Sequence, residues 1–319
     1  MLNVDGLRVH YKTGQGLLKA VDGVSFSLQK GEIVGIVGES GCGKTTVALS
    51  LVRLLPPVAR ILGGKVMLHD NNILTATEEQ MRLVRWRKIS MIFQGALNSL
   101  NPVLPVKEQI AEAIEAHEHL SEKELDERID GLFKAVGLDV SRKNNFPHEF
   151  SGGMKQRVMI AMALACNPEI VIADEPTTAL DLIVQYQILE LIRDLRRKLQ
   201  LSMILITHDL SVVAEICDKV VIMYAGKVVE CGEICQIFEN PKHPYTRALI
   251  WSIIKMESEK TELHFISGSM PDLTGEVPAC RFFGRCPHGQ RICGEVEPPV
   301  ENVEPNHVTS CHFWRETAK

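Results

Sequence analysis

Near its start the chain alternates apolar and polar residues, with Leu7, Val9 and Tyr11 in one run and Val21, Val24, Phe26 and Leu28 in the next. This predicts antiparallel strands over residues 2–12 and 18–28, joined by a turn at Gly14-Gln15-Gly16. Residues 32–37 are strand-like and apolar, and 46–55 read as a helix stopped by Pro56-Pro57. Residues 63–68 and 89–93 return to the strand pattern, and Asn98 to Val103 reads as a loop. Residues 107–136 are expected to be helical. Ser121 and Glu124 form a capping box there, Leu125, Ile129, Leu132, Phe133 and Val136 share one face, and Gly137 follows as a stop. Val158 to Cys166 is helix-like and ends at Asn167-Pro168. Two unbroken apolar runs, 170–173 and 203–207, have the composition of buried strands. Between them Thr178 to Asp181 caps a long helix with the stripe Leu182, Ile188, Leu189, Ile192 and Leu195. Residues 220–223 and 227–230 around Ala225-Gly226 read as a hairpin. Strands and helices alternating in this way predict an α/β fold.

The candidate chemistry sits at the ends of these elements. Gly38-Glu39-Ser40-Gly41-Cys42-Gly43-Lys44-Thr45 fits G-x-x-x-x-G-K-[ST] between a strand and a helix, where backbone amides and a helix N-terminus converge on phosphate. Lys44 would reach the β- and γ-phosphates and the Thr45 hydroxyl would ligate Mg²⁺. Ser151-Gly152-Gly153 at a helix start makes a second set of exposed amides for an anion. Asp174 and Glu175 end an apolar strand, where α/β sheets place their sites. A Mg²⁺-nucleotide site needs one carboxylate near the metal, and hydrolysis needs a second group to orient and deprotonate water. Gln94 and His208 also end strands, and Tyr11 is an aromatic placed where it could stack on adenine.

Composition narrows the setting. The 319 residues are 45% apolar and 24% charged with a net charge of −5, so no global basic field argues for nucleic acid. Arg82, Arg85, Arg87 and Lys88 around Trp86 read as a solvated helix end. No apolar run approaches the ~20 residues that span a bilayer, and the N-terminal stretch with Asp5 does not read as a signal peptide. Nine cysteines, an odd number, are expected to be thiols of a reducing cytosol. Cys42, Cys166, Cys217, Cys231 and Cys235 read as small buried hydrophobes.

The ordered set Tyr11, Gly38–Thr45, Gln94, Ser151-Gly152-Gly153, Asp174-Glu175, Asp181 and His208 resembles the ATP-binding subunit of ABC transporters over about residues 1–250. The resemblance implies a RecA-like core with an antiparallel β subdomain and a helical subdomain at about 95–167. It implies that Tyr11 stacks on adenine and that Gly38, Ser40, Gly41, Cys42, Gly43, Lys44, Thr45 and Thr46 hold the phosphates. Thr45, Gln94 and Asp174 would serve Mg²⁺, Glu175 would be the general base, and His208 the switch histidine. Ser151, Gly152, Gly153 and Asp181 would act across a dimer. Met154 after the second signature glycine, and Asn240 to Leu249 with its His243-Pro244-Tyr245 core, are similar to the ATPases of oligopeptide/dipeptide importers. The implied partners are a paralogous ATPase in a heterodimer, two transmembrane permeases and an extracytoplasmic peptide-binding protein. The implied location is peripheral, on the cytoplasmic face of the membrane. A nickel or other small-solute importer and a soluble non-transport ABC ATPase are the alternatives. The single P-loop, the single signature and the absence of a coiled-coil insert disfavour the second.

Residues 251–319 are expected to form a small accessory domain around Cys280, Cys286, Cys293 and Cys311. A segment rich in Pro, Gly and charge buries little apolar surface, so a metal or cluster would serve as its core. Zinc sites favour C-x₂₋₄-C pairs, whereas x₅ and x₆ spacings and Cys286-Pro287 favour a [4Fe–4S] cluster, with Zn²⁺ as the alternative. Some dipeptide-importer ATPases are similar in carrying such a cluster. His288, His307 and His312 are the spare ligands.

Overall fold

The computed structural model describes residues 1–95, 99–254, 266–275 and 277–317. The expected loop residue Asn98, and residues 255–265, 276, 318 and 319 of the expected accessory domain, lie outside the described residues. In chain order the first elements are β1 (Leu2–Thr13), β2 (Gly16–Leu28), β3 (Ile33–Val37), α1 (Lys44–Leu51), β4 (Ala59–Leu68), β5 (Asn71–Asn72), α2 (Glu78–Val84) and β6 (Ile89–Ile92). Next come α3 (Val106–Glu115), α4 (Glu122–Ala135), α5 (Gly152–Ala163), β7 (Ile170–Asp174), α6 (Leu182–Leu199), β8 (Ser202–Thr207) and α7 (Leu210–Ile216). The last are β9 (Lys219–Tyr224), β10 (Lys227–Glu233), α8 (Ile234–Glu239), α9 (Pro244–Ile254), α10 (Arg291–Glu295), β11 (Glu301–Glu304), β12 (His307–Thr309) and α11 (Trp314–Thr317).

The chain divides into two compact units. One holds Met1–Leu28, Ile33–Leu74 and Thr207–Lys319, and the other Gln29–Glu32 and Thr75–Ile206. In the first unit β1 pairs antiparallel with both β2 and β4, so Val9 faces Val21 on one side and Ile61 on the other. The period-two burial expected there is observed, with Leu7, Val9, Val21 and Val24 fully buried. In the same unit β3 and β9 run parallel, and β9, β10, β12 and β11 continue antiparallel. In the second unit β6, β7 and β8 form a parallel ladder whose residues are almost all buried.

Four local expectations are corrected. The helix after the phosphate loop ends at Leu51 rather than Leu55, because Val52 caps it and Arg53 takes a left-handed φ of 52°. The helix expected over 107–136 is two helices. Ser121 sits in extended backbone to accept the Glu124 amide, and a residue in that conformation cannot continue a helix arriving from α3. The helix that starts at the signature, where the Ser151 side chain caps the Met154 amide as expected, ends at Ala163 rather than Cys166, with Leu164 as its cap. Leu182 leaves the predicted stripe of α6. It is 82% exposed, while Ile188, Leu189, Ile192 and Leu195 are buried. The basic run behaves as a solvated helix end, with Arg85 paired to Glu78 and Lys88 paired to Glu169.

The segment after residue 250 shares a core with the phosphate-loop unit. Leu273 and Phe282 pack with Val37, Tyr224, Tyr245 and Ile250. A buried carboxylate reinforces this region. Glu230 on β10 accepts hydrogen bonds from the backbone N–H groups of Lys242 and His243 and pairs with His307 of β12 at 2.8 Å. Burial pushes the pKa of His243 down to about 4, so its imidazole is neutral and Nδ1 accepts the Tyr245 N–H at 3.1 Å.

Candidate functional site

The phosphate loop is built as its residue types require. Gly38 lies so close to the backbone of β9 that a Cβ would fall 2.1 Å from the Met223 carbonyl oxygen. Gly43, at φ 106°, caps α1 with its ideal Cβ position 2.3 Å from the Ala20 carbonyl oxygen. Lys44 is buried, and its ammonium donates to the carbonyls of Gly38 at 2.7 Å and Glu39 at 3.1 Å. A phosphate is the stronger acceptor for that ammonium, so the lysine is held folded against the loop it would serve. Ser40, Gly41 and Thr45 are exposed. Cys42 is buried, its N–H is committed to the Glu39 carbonyl and burial pushes its thiol up, so the side chain offers nothing to a ligand. Tyr11 lies alongside, its hydroxyl 3.1 Å from that of Thr46.

In the second unit Asp174 is buried at the C-terminal end of β7 and Glu175 follows at φ 48°. A non-glycine residue in that region stores backbone strain of about 1–3 kcal/mol, a feature concentrated at active sites. Gln94 Nε2 donates to Glu175 Oε2 at 3.0 Å, and the Thr178 hydroxyl donates to the same oxygen at 2.9 Å. The sequence placed Gln94 and Glu175 at strand ends without linking them, and it gave Thr178 a place in the helix cap but not beside Glu175. The short turn Pro176-Thr177-Thr178, rich in hydroxyls directly after two acids, was the available signal. Ser151 is exposed at the N-terminus of α5, with Gly152 and Gly153 in its first turn. Asp181 caps α6 through the Val184 amide at 3.0 Å. His208 belongs to the first unit and is exposed just before the Asp209 cap of α7.

None of the nine cysteines is in a disulfide. Cys42, Cys166 and Cys231 are buried as expected, but Cys217 is half-buried and Cys235 is exposed on α8, which corrects the reading of those two. The four C-terminal cysteines, Cys280, Cys286, Cys293 and Cys311, line one small cavity with Phe282, Phe283, Phe313, His288 and His312. Burial pushes the pKa of Cys280 to about 11 and that of Cys311 to about 12. His307 is removed from the spare ligands by its buried pairing with Glu230. Among the described residues no group of three or more His, Cys, Asp or Glu side chains is placed to hold a metal ion.

Known proteins place this architecture. The ABC transporter family matches residues 21–178, and the C-terminal region of oligopeptide/dipeptide transporters matches residues 229–293. A probable peptide ABC transporter ATP-binding protein, y4tR of Sinorhizobium fredii, is 46% identical over 99% of this chain and 95% of its own length. The dipeptide transport ATP-binding protein DppD of Bacillus subtilis is 44% identical over 100% of this chain and 96% of its own. Among solved structures, the ATP-binding cassette MJ0796, a dimer in a post-hydrolysis state bound to ADP and phosphate, superposes with a TM-score of 0.66 at 28% identity. It covers 73% of this chain and 99% of that one.

Proposed function

Since this chain belongs to the ATP-binding subunits of peptide ABC transporters, we propose that its phosphate loop and its strand-end carboxylates carry the ATP hydrolysis that drives peptide import. The chain is the ATPase subunit of a peptide importer. Among the described residues no helix is long and apolar enough to cross a membrane. In this reading the chain acts peripherally, beside membrane-spanning subunits, as an importer's ATPase subunit does. The observation that carries the reading of the site is Lys44, buried in the loop with its ammonium resting on two loop carbonyls.

In this reading Gly38, Ser40, Gly41, Gly43, Lys44 and Thr46 bind the phosphates, Cys42 contributes only backbone, and Tyr11 stacks on the adenine. Thr45, Gln94 and Asp174 hold Mg²⁺, for which a buried carboxylate is a fitting donor. When bound there, Mg²⁺ would supply neutralisation of the charge developing on the phosphates. Glu175, held by Gln94 and Thr178, orients and deprotonates the attacking water, and His208 hydrogen-bonds the γ-phosphate. Ser151, Gly152, Gly153 and Asp181 act on the nucleotide of a paralogous ATPase. The exposure of Leu182, Ile183 and Tyr186, at 82%, 73% and 57%, beside Asp181 supports a partner surface there. Two permeases and an external peptide-binding protein complete the importer.

Residues 1–250 form the cassette in this reading, with 95–167 as its helical part, and 251–319 the accessory segment. Cys280, Cys286, Cys293 and Cys311 would hold a [4Fe–4S] cluster. What supports this reading is that the four thiols line one cavity, together with their x₅ and x₆ spacings, which suit a cluster better than the C-x₂₋₄-C pairs of zinc sites. The cluster would supply a structural core.

Two measurements test these readings. Proteoliposomes holding this chain with its permeases and partner ATPase are expected to take up peptide only with ATP, and Lys44→Ala is expected to abolish uptake. Uptake that persists in the variant overturns the role of the loop. Anaerobically purified chain is expected to hold about four irons and four sulfides, with broad absorbance near ~400 nm. One zinc and no sulfide would replace the cluster with zinc and leave the ATPase reading intact.

A further inference from the structure

The His243-Pro244-Tyr245 stretch and the cysteine loop both reach the same residue of the phosphate loop, and the hydrolysis chemistry uses neither. Tyr245 is fully buried, and its hydroxyl accepts the backbone N–H of Glu39 at 3.0 Å. Arg285, directly before Cys286, donates from one guanidinium nitrogen to the Glu39 carboxylate at 2.8 Å and to the Tyr224 hydroxyl at 3.2 Å. Its other nitrogens are fixed by the carbonyls of Ser267 and Ile266 at 3.0 and 3.1 Å. The guanidinium also lies over the Tyr224 ring, 5.6 Å from its centroid, and Tyr224 packs on Tyr245. Glu39 is thereby held at its amide and its carboxylate, while its carbonyl accepts from Lys44 and Cys42.

A carboxylate inside a loop that must bind a polyanion is a liability unless a cation neutralises it. The Arg285 side chain is 9% exposed, so it is poorly screened by solvent and presents a fixed positive charge to Glu39. A loop held in its binding shape before the nucleotide arrives also loses less freedom on binding. We propose that Arg285 and Tyr245 are positioning residues for ATP binding, Arg285 neutralising Glu39 and Tyr245 fixing its backbone. The C-terminal segment thereby tunes nucleotide affinity whatever its cysteines hold.

The test is ATP affinity of the full-length chain, read with a fluorescent ATP analogue, together with KM and kcat of the reconstituted transporter. Arg285→Gln is expected to weaken ATP binding about tenfold, within the range of a charge-assisted hydrogen bond, and to raise KM while leaving kcat within about twofold. Glu39→Gln alone is expected to change affinity by no more than about twofold, and the double variant Glu39→Gln/Arg285→Gln to recover most of the loss. A packing role alone would give no such suppression. Tyr245→Phe, which removes one oxygen and keeps the ring, is expected to weaken binding about threefold. Unchanged affinity in Arg285→Gln, or a double variant as weak as the single, overturns the charge role. Unchanged affinity in Tyr245→Phe overturns the backbone role, and that result stands even if Arg285→Gln does not fold.

Discussion

Glu175→Gln is expected to bind ATP as the parent does and to hydrolyse it about 10²–10⁴-fold more slowly, the range that a positioned general base contributes. Gln is nearly isosteric, and its amide oxygen can still accept from Gln94 and Thr178, the two groups now bonded to Glu175 Oε2. Geometry is therefore preserved while basicity is lost. Phosphate release by the reconstituted transporter and nucleotide binding by the isolated chain separate the two effects. Turnover at the parental rate would remove Glu175 from the role of base and leave its strained backbone, φ 48°, to be explained by folding alone.

Phe282→Ala is expected to cost about 3–5 kcal/mol of stability, the range for a large aromatic removed from a packed core. Phe282 is 2% exposed, and its ring lies 5.2 Å from Tyr224, 5.4 Å from Tyr245 and 5.7 Å from His243. It joins the cysteine loop to the sheet that carries the phosphate loop, within one unit. A clear drop in the thermal midpoint, compared under identical conditions, is the expected result. Because Tyr245 would lose a wall of its pocket, ATP affinity is expected to fall with it. An unmoved midpoint would show that this aromatic cluster lies outside the cooperative core.

The sequence by itself determined the elements whose signals are local. The phosphate loop was legible because its spacing of glycines, lysine and threonine follows directly from a helix N-terminus that must approach phosphate. The alternation along β1 and β2, the apolar runs of β7 and β8 and the Ser121 capping box were legible because each depends on residues within a few positions of one another. The family itself was legible in the order of the motifs, and relatives matching nearly the whole chain bear that reading out.

Only the tertiary structure decided what depends on residues far apart in the chain. Gln94 meets Glu175 across 81 positions, and Arg285 meets Glu39 across 246. No periodicity encodes such pairings, because they arise from how the strands are laid beside one another. For the same reason the tail could be read as too polar to fold alone, but its Leu273 and Phe282 could not be read as completing a core begun by Val37 and Tyr224. Burial is a property of the assembled unit: a segment with little apolar surface of its own can still be ordered where a neighbouring sheet supplies the rest.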